Sequence, residues 1–207
     1  ENRDQGGARA IRVANTIANE TERGNLRSEH HTHLRCEICS ADVVRAAENF
    51  LEKHPVGIMS LMDHTPGQRQ FRDLNKLREY YQGKMHLSED ELQKFFNDRY
   101  RMHEMYAVPH RSKLVEIAKT HGVTLASHDD TTVEHVDESK ADGAAIAEFP
   151  TTIEAAEASR KVGISVMMGA PNLIRGGSHS GNVAASDLAQ SDLLDVFSSD
   201  YIPASLI

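Results

Sequence analysis

The sequence has no tryptophan, only two cysteines, and aromatic residues make up just 5% of it. Two thiols are too few for a disulfide framework, so a reducing cytoplasm is the expected setting. No run approaches the roughly 18 apolar residues of a membrane span, and no signal peptide is visible. An excess of positive charge is lacking too: 23 Lys and Arg face 31 Asp and Glu, a net charge of −8. That argues against nucleic acid or an anionic membrane as the main partner. A phosphorylated substrate stays open, because a local cluster of donors can outweigh the global charge.

What remains is an ordinary globular composition, 39% hydrophobic and 26% charged over 207 residues, enough for one sizeable domain. The first residue is Glu1 and the opening is polar, which reads as a cut end. Twelve histidines stand out, since histidine is the commonest metal ligand and acid–base side chain.

Short apolar strands alternate with amphipathic helices. The spacing of Ala8, Ile11, Ala14, Ile17 and Ala18 predicts a helix over 3–25. Strands are expected at 31–38, 57–63, 123–127, 144–148, 164–168 and 194–198. Helices are expected at 41–53, capped by Ser40, at 133–141 and at 152–161. A long helical excursion fills 68–121, with a capping box at Ser88-Glu89-Asp90-Glu91 and a break or kink at Pro109. A Gly/Ser/Asn-rich loop is expected over 169–186. Such alternation implies a parallel α/β sheet, either doubly wound or a barrel. The excursion reads as an insertion on one βα loop of a single domain.

In parallel α/β folds the chemistry sits at the C-terminal ends of the strands. Four of the six expected strands end in a candidate ligand or base: Glu37, His64, His128 and Asp200. Alternation puts His33, Arg35 and Glu37 on one face of the first strand, and Ser60, Met62 and His64 on one face of the second. Carboxylates and imidazoles converging there suit a divalent metal, zinc or manganese, which would generate a hydroxide nucleophile; Asp200 would then shuttle the proton. Asp129 or Asp130 could orient the His128 ring or cap the next helix.

His31-Thr32-His33 has the form of a His-x-His metal pair. Yet His33 lies four residues before Glu37, about 13 Å at the usual strand rise, whereas two metals of one centre sit about 3.5–4 Å apart. Both histidines are therefore read as structural. Cys36-Glu37-Ile38-Cys39 has Cys-x-x-Cys spacing but no second ligand pair nearby, and Cys36 is expected to face the helices. The remaining histidines, His103 among them, have no partner in sequence and read as surface or packing residues.

Two loops are rich in donors: His64-Thr65-Pro66-Gly67-Gln68-Arg69-Gln70, and Gly176-Gly177-Ser178-His179-Ser180-Gly181-Asn182 with Arg175 before it. Glycines expose backbone N–H groups, and the side chains add more; together they can cradle phosphate. Neither is a Walker loop.

These motifs occur in a fixed order: His33-Leu34-Arg35-Cys36-Glu37, Met62-Asp63-His64-Thr65-Pro66-Gly67-Gln68, Ser127-His128-Asp129-Asp130, Glu148-Phe149-Pro150-Thr151-Thr152, Met168-Gly169-Ala170-Pro171-Asn172, the Gly-Gly-Ser-His-Ser-Gly-Asn loop, and Ser198-Ser199-Asp200-Tyr201. Across essentially the whole chain they resemble the phosphonate-catabolic diphosphatases of the amidohydrolase superfamily. The resemblance implies a metal-bearing (β/α)8 TIM-type barrel, of which about six of eight βα units are present. It implies release of pyrophosphate from a ribose 5-triphosphate bearing a 1-methylphosphonate, within the carbon–phosphorus lyase pathway. By motif position Glu37, His64 and His128 would be metal ligands and Asp200 a ligand and base. Arg35, Gln68, Arg69, Asn172, Arg175, Ser178 and His179 are candidates for holding the substrate on their chemistry. The superfamily's His-x-His pair on the first barrel strand has no counterpart before Glu37, so an incomplete barrel is expected, with an exposed edge and weak or no catalysis on its own. A homo-oligomer is compatible with all of this. The rival readings are a cyclic amidohydrolase or deaminase on the same barrel, and a non-catalytic fragment.

Overall fold

A computed structural model describes residues 5–69, 77–78, 81–83, 87–178 and 181–206. Six strands form one wholly parallel sheet: β1 (His33–Glu37), β2 (Ile58–Met62), β3 (Thr124–His128), β4 (Ile146–Glu148), β5 (Ser165–Gly169) and β6 (Val196–Ser198). Their spatial order is their chain order, β1-β2-β3-β4-β5-β6. This decides between the two expected architectures. A doubly wound sheet reverses its order at a switch point and carries helices on both faces. Here every parallel crossover moves one strand along in the same direction, with no reversal of order. The fold is α/β: six parallel strands in sequential order, the first five each followed by a helix, as in consecutive units of a TIM-type barrel. Among the described residues β1 and β6 each pair on one side only.

The helices are α1 (Gln5–Glu22), α2 (Val43–Leu51), α3 (Glu89–His121), α4 (Val133–Asp142), α5 (Ile153–Lys161), α6 (Ala170–Arg175) and α7 (Ala185–Gln190), followed by a 3-10 turn at Pro203–Leu206. Apolar strand residues meet them on one face. Cys36, Met59, Leu61 and Leu125 pack with Ala47, Leu114 and Ile117. Ala147 packs with Val136 and Ala155, and Val166 and Met168 with Ala156, Ala185 and Leu188. The opposite face carries His33, Arg35, Ser60, His128 and Glu148, joined to one another by hydrogen bonds. Period-two alternation thus sorts the strands into an apolar outer face and a polar inner one.

Several local expectations change. Ser40 does not cap α2; Asp42 occupies the N-cap without a side-chain hydrogen bond. The Ser88 capping box is present, with Ser88 accepting from the Glu91 N–H and the Glu91 carboxylate accepting from the Ser88 N–H. Pro109 does not break α3, which runs from Glu89 to His121. Met105, whose carbonyl loses its i+4 partner at the proline, lies on an exposed part of the helix. The expected 169–186 loop holds two short helices, α6 and α7. Pro171 near the start of α6 presets a helical φ, a signal outweighed in sequence by the surrounding glycines and serines. α3 itself has two parts. Leu92 and Phe96 form a small separate core with Leu77, whereas Ala107, Leu114, Ile117 and Ala118 join the main core.

Candidate functional site

The strand ends lie level: Glu37 pairs in register with Met62, His128 with Glu148, and Gly169 with Ser198. This level edge gathers the site. Glu37 grips His64 with both oxygens, accepting from the backbone N–H at 3.1 Å and from Nδ1 at 2.6 Å. Glu148 accepts from Nδ1 of His128 at 2.6 Å. Each imidazole is thus oriented by a carboxylate on Nδ1 and turns Nε2 inward. The rings meet edge to face with centroids 5.4 Å apart, and Phe149 also packs edge to face with His128 at 5.5 Å.

Asp129 completes the group. Its Oδ2 is 3.3 Å from Nε2 of His128 and 3.9 Å from Nε2 of His64. His64, His128 and Asp129 offer ligand atoms that all lie within 4.8 Å of one another. Asp129 adopts a left-handed φ of 56°, as do Phe149 at 60° and Asp200 at 48°. Non-glycine residues are strained there, and three such residues follow β3, β4 and β6 at the same edge.

The electrostatics fit a cation. Asp129 Oδ2 is buried without a hydrogen-bond partner; burial pushes this carboxyl up, against the pull of His128 and His64. Burial pulls the His64 imidazole down, but the Glu37 hydrogen bond and charge, with Asp129, raise it above its ordinary value. Glu148 is likewise pushed up by burial, yet His128, Arg35 and His33 bring it down to about 2. An ionised Glu148 holds the proton on Nδ1 of His128 and leaves Nε2 with its lone pair. Nη2 of Arg35 donates to that nitrogen at 3.1 Å. A guanidinium cation therefore stands against the same nitrogen that a metal would take. Two imidazole nitrogens and a carboxylate are donors suited to zinc or another divalent metal.

Behind this group runs a relay. Nε2 of His33 contacts Ser60 Oγ at 2.6 Å, and Ser60 donates to Glu148 at 2.9 Å. His33 is a supporting residue of the inner face, and burial pulls its pKa down. His31 is exposed beside Glu29.

The other expected residues fall into distinct places. Asp200 is exposed and stands outside the His64–His128–Asp129 group. It lines a cavity of about 110 Å³ together with Asp129, Phe149, Asn172, Arg175 and Ser178. It packs beside Gly169, where a Cβ would just touch Asp200 Oδ2 at 3.4 Å. Asn172 also ties its loop together, donating to the Val183 carbonyl and accepting from the Ala185 N–H. Gln68 is half-buried in the turn after β2, its N–H bonded to the Thr65 carbonyl. Arg69 does not face the cavity. It is 5% exposed and paired with Asp130 and Glu138, which anchors the β2 loop to α4. His179 lies outside the described residues.

Sequence reasoning passed over Glu148 as a working residue. It ends β4 as His128 ends β3, so the strand-end rule alone would have found it. The two aspartates also separate. Asp129 joins the imidazoles, whereas Asp130 accepts from Ser127, Ser139 and Arg69, and α4 is capped by Thr132.

No family model and no solved structure matches the chain. It spans about half the length of the curated relative it does match, 52%. That relative bears out the resemblance carried by the motifs: over 196 residues, 95% of its own length, the chain is 50% identical to the α-D-ribose 1-methylphosphonate 5-triphosphate diphosphatase of Escherichia coli strain K12.

Proposed function

We propose that the protein carrying this chain is a metal-dependent diphosphatase of phosphonate catabolism, releasing pyrophosphate from α-D-ribose 1-methylphosphonate 5-triphosphate. The observation that carries this reading is the 50% identity to a diphosphatase of that activity. The site chemistry supports it. We assign zinc, with manganese second, to Nε2 of His64, Nε2 of His128 and Asp129. When bound, the metal supplies Lewis acidity toward a phosphoryl oxygen and lowers the pKa of a water.

The chain's own residues do the rest. Glu37 and Glu148 fix the two imidazoles by their Nδ1 hydrogen bonds, so neither ring must reorganise. Arg175 and Ser178 line the cavity beside Asp129 and are assigned to the triphosphate oxygens, where a guanidinium pairs with phosphate geometry. Arg35 is assigned to charge neutralisation next to His128. Asp200, across the same cavity, accepts the proton of the attacking water as the anhydride between the first and second phosphates breaks. The residues 1–207 act in this reading as one barrel domain, in the cytoplasm.

The test uses the protein carrying this chain, loaded with zinc. It should release pyrophosphate from the ribose triphosphate, and Asp200→Asn should nearly abolish turnover while circular dichroism and metal content stay unchanged. Hydrolysis of a cyclic amide without pyrophosphate release would overturn the reading. An undiminished rate in Asp200→Asn would remove that residue from the mechanism.

A further inference from the structure

A second group of ligand-type side chains lies on the other face of the same strand ends. Cys39 follows β1, Asp63 follows β2, and His103 projects from the middle of α3. Nδ1 of His103 is 2.8 Å from Asp63 Oδ2. Cys39 Sγ is 3.3 Å from Asp63 Oδ1 and 3.9 Å from Nδ1 of His103. Around a tetrahedral zinc with bonds of about 2.0–2.3 Å, neighbouring ligand atoms stand about 3.3–3.6 Å apart. One ligand atom from each residue lies within 4.8 Å of the other two; the sulfur separations are close to that range, and the His103–Asp63 contact, made through the other carboxylate oxygen, opens slightly to seat an ion. Thr65 Oγ1 stands 3.5 Å from the sulfur and its N–H fixes Asp63 Oδ1 at 3.0 Å.

The placement is built into the fold. Phe96, His103, Ala107 and Leu114 recur at seven-, four- and seven-residue steps, so His103 occupies the core-facing stripe of α3. Cys39 is 1% exposed and Asp63 7% exposed. We propose that Cys39, Asp63 and His103 form a second metal site, for zinc or another thiophilic divalent transition metal, that pins α3 to the ends of β1 and β2. Nothing in the inner histidine group is needed for it. Burial, with the nearby carboxylates, pushes the Cys39 thiol up to about 12, so the metal-free sulfur is protonated and a poor nucleophile. A bound metal would displace that proton and take the thiolate.

The experiment strips the full protein with chelator, reloads it with cobalt(II), and records thiolate-to-metal charge transfer in the near ultraviolet. Zinc-loaded protein is examined by X-ray absorption. The expected result is a charge-transfer band and a sulfur neighbour at about 2.3 Å, fewer than one per zinc where the inner group is also filled. Both should survive in Cys36→Ser and His128→Ala and vanish in Cys39→Ser. His103→Ala should weaken metal binding at this site by about 10-fold or more. Zinc should raise the melting temperature of His128→Ala but not that of a Cys39→Ser, His128→Ala double variant. Should Cys39→Ser fail to fold, the sulfur neighbour in Cys36→Ser protein still decides the matter. A zinc shell of nitrogen and oxygen alone would overturn the proposal and leave the group as a hydrogen-bonded clamp.

Discussion

Asp63 and His64 are adjacent in the chain and belong to different worlds. His64 turns to the inner face, where Glu37 holds it at 2.6 Å and Asp129 faces its Nε2. Asp63 turns outward to Cys39 and to His103 on α3. One peptide step at the end of a strand reverses the side-chain direction, so a single strand end supplies two groups of opposite setting. The inner group reaches, through Asp129, a cavity shared with Asp200 and Arg175; the outer one lies between the strand ends and α3, with Cys39 and Asp63 buried and His103 partly exposed. The difference teaches that a cluster's role follows from what covers it as much as from its donors.

Substitutions can break this comparison. The largest effect is expected for His128→Ala. Removing a proposed ligand should reduce turnover by more than the ~100-fold upper end typical of residues that only orient a ligand, with inner metal lost by elemental analysis. Next comes Glu148→Gln. Metal affinity or activity should fall about 10–100-fold, and the variant also reads out acid stability. The Glu148 carboxyl is held at about 2 against an ordinary 4.5. Its ionised form therefore stabilises the fold above pH 4.5, and that contribution disappears as pH falls toward 2. Chemical denaturation across this window should show a shallower acid loss in Glu148→Gln; an unchanged profile would mean the charge carries no such stability.

On the outer side, Asp63→Asn should lower stability by about 1.5–3 kcal/mol, the worth of hydrogen bonds to a charged group, read by denaturation. Burial pushes Asp63 up, yet the Thr65 hydrogen bonds and His103 hold it below its ordinary value. Turnover should suffer far less than in His128→Ala; an equal loss would merge the two groups into one functional unit. The smallest effect belongs to His31→Ala. This exposed histidine pairs with exposed Glu29, so stability should move by no more than about 0.5 kcal/mol and metal content not at all. A larger change would revive the His31-Thr32-His33 motif as a ligand pair.

Much of this could be read from residues in order. The strand-end positions of Glu37, His64 and His128 follow from alternation and from the rule that βα units present their C-terminal ends to the site. Cys36 facing the helices follows from the same period. What the sequence reading missed lies in long-range pairing. His103 belongs to no ligand-spaced motif of its own helix, and its partner Asp63 stands across a sheet–helix interface. Arg69 looked like a phosphate donor in a turn; two carboxylates from beyond β3 claimed it instead.

The sequence by itself determined the alternation of strands and helices, the faces of each strand, and which chemical groups arrive at its end. These are local matters of period and propensity. Only the tertiary structure decided which carboxylate grips which imidazole. Glu37 and His64 are 27 residues apart, and Arg35 reaches His128 across 93. Such contacts exist only once parallel register has brought the strand ends level, and that register is a property of the packed sheet. The same packing sends His64 toward His128 and Asp129 and its neighbour Asp63 to His103 of α3.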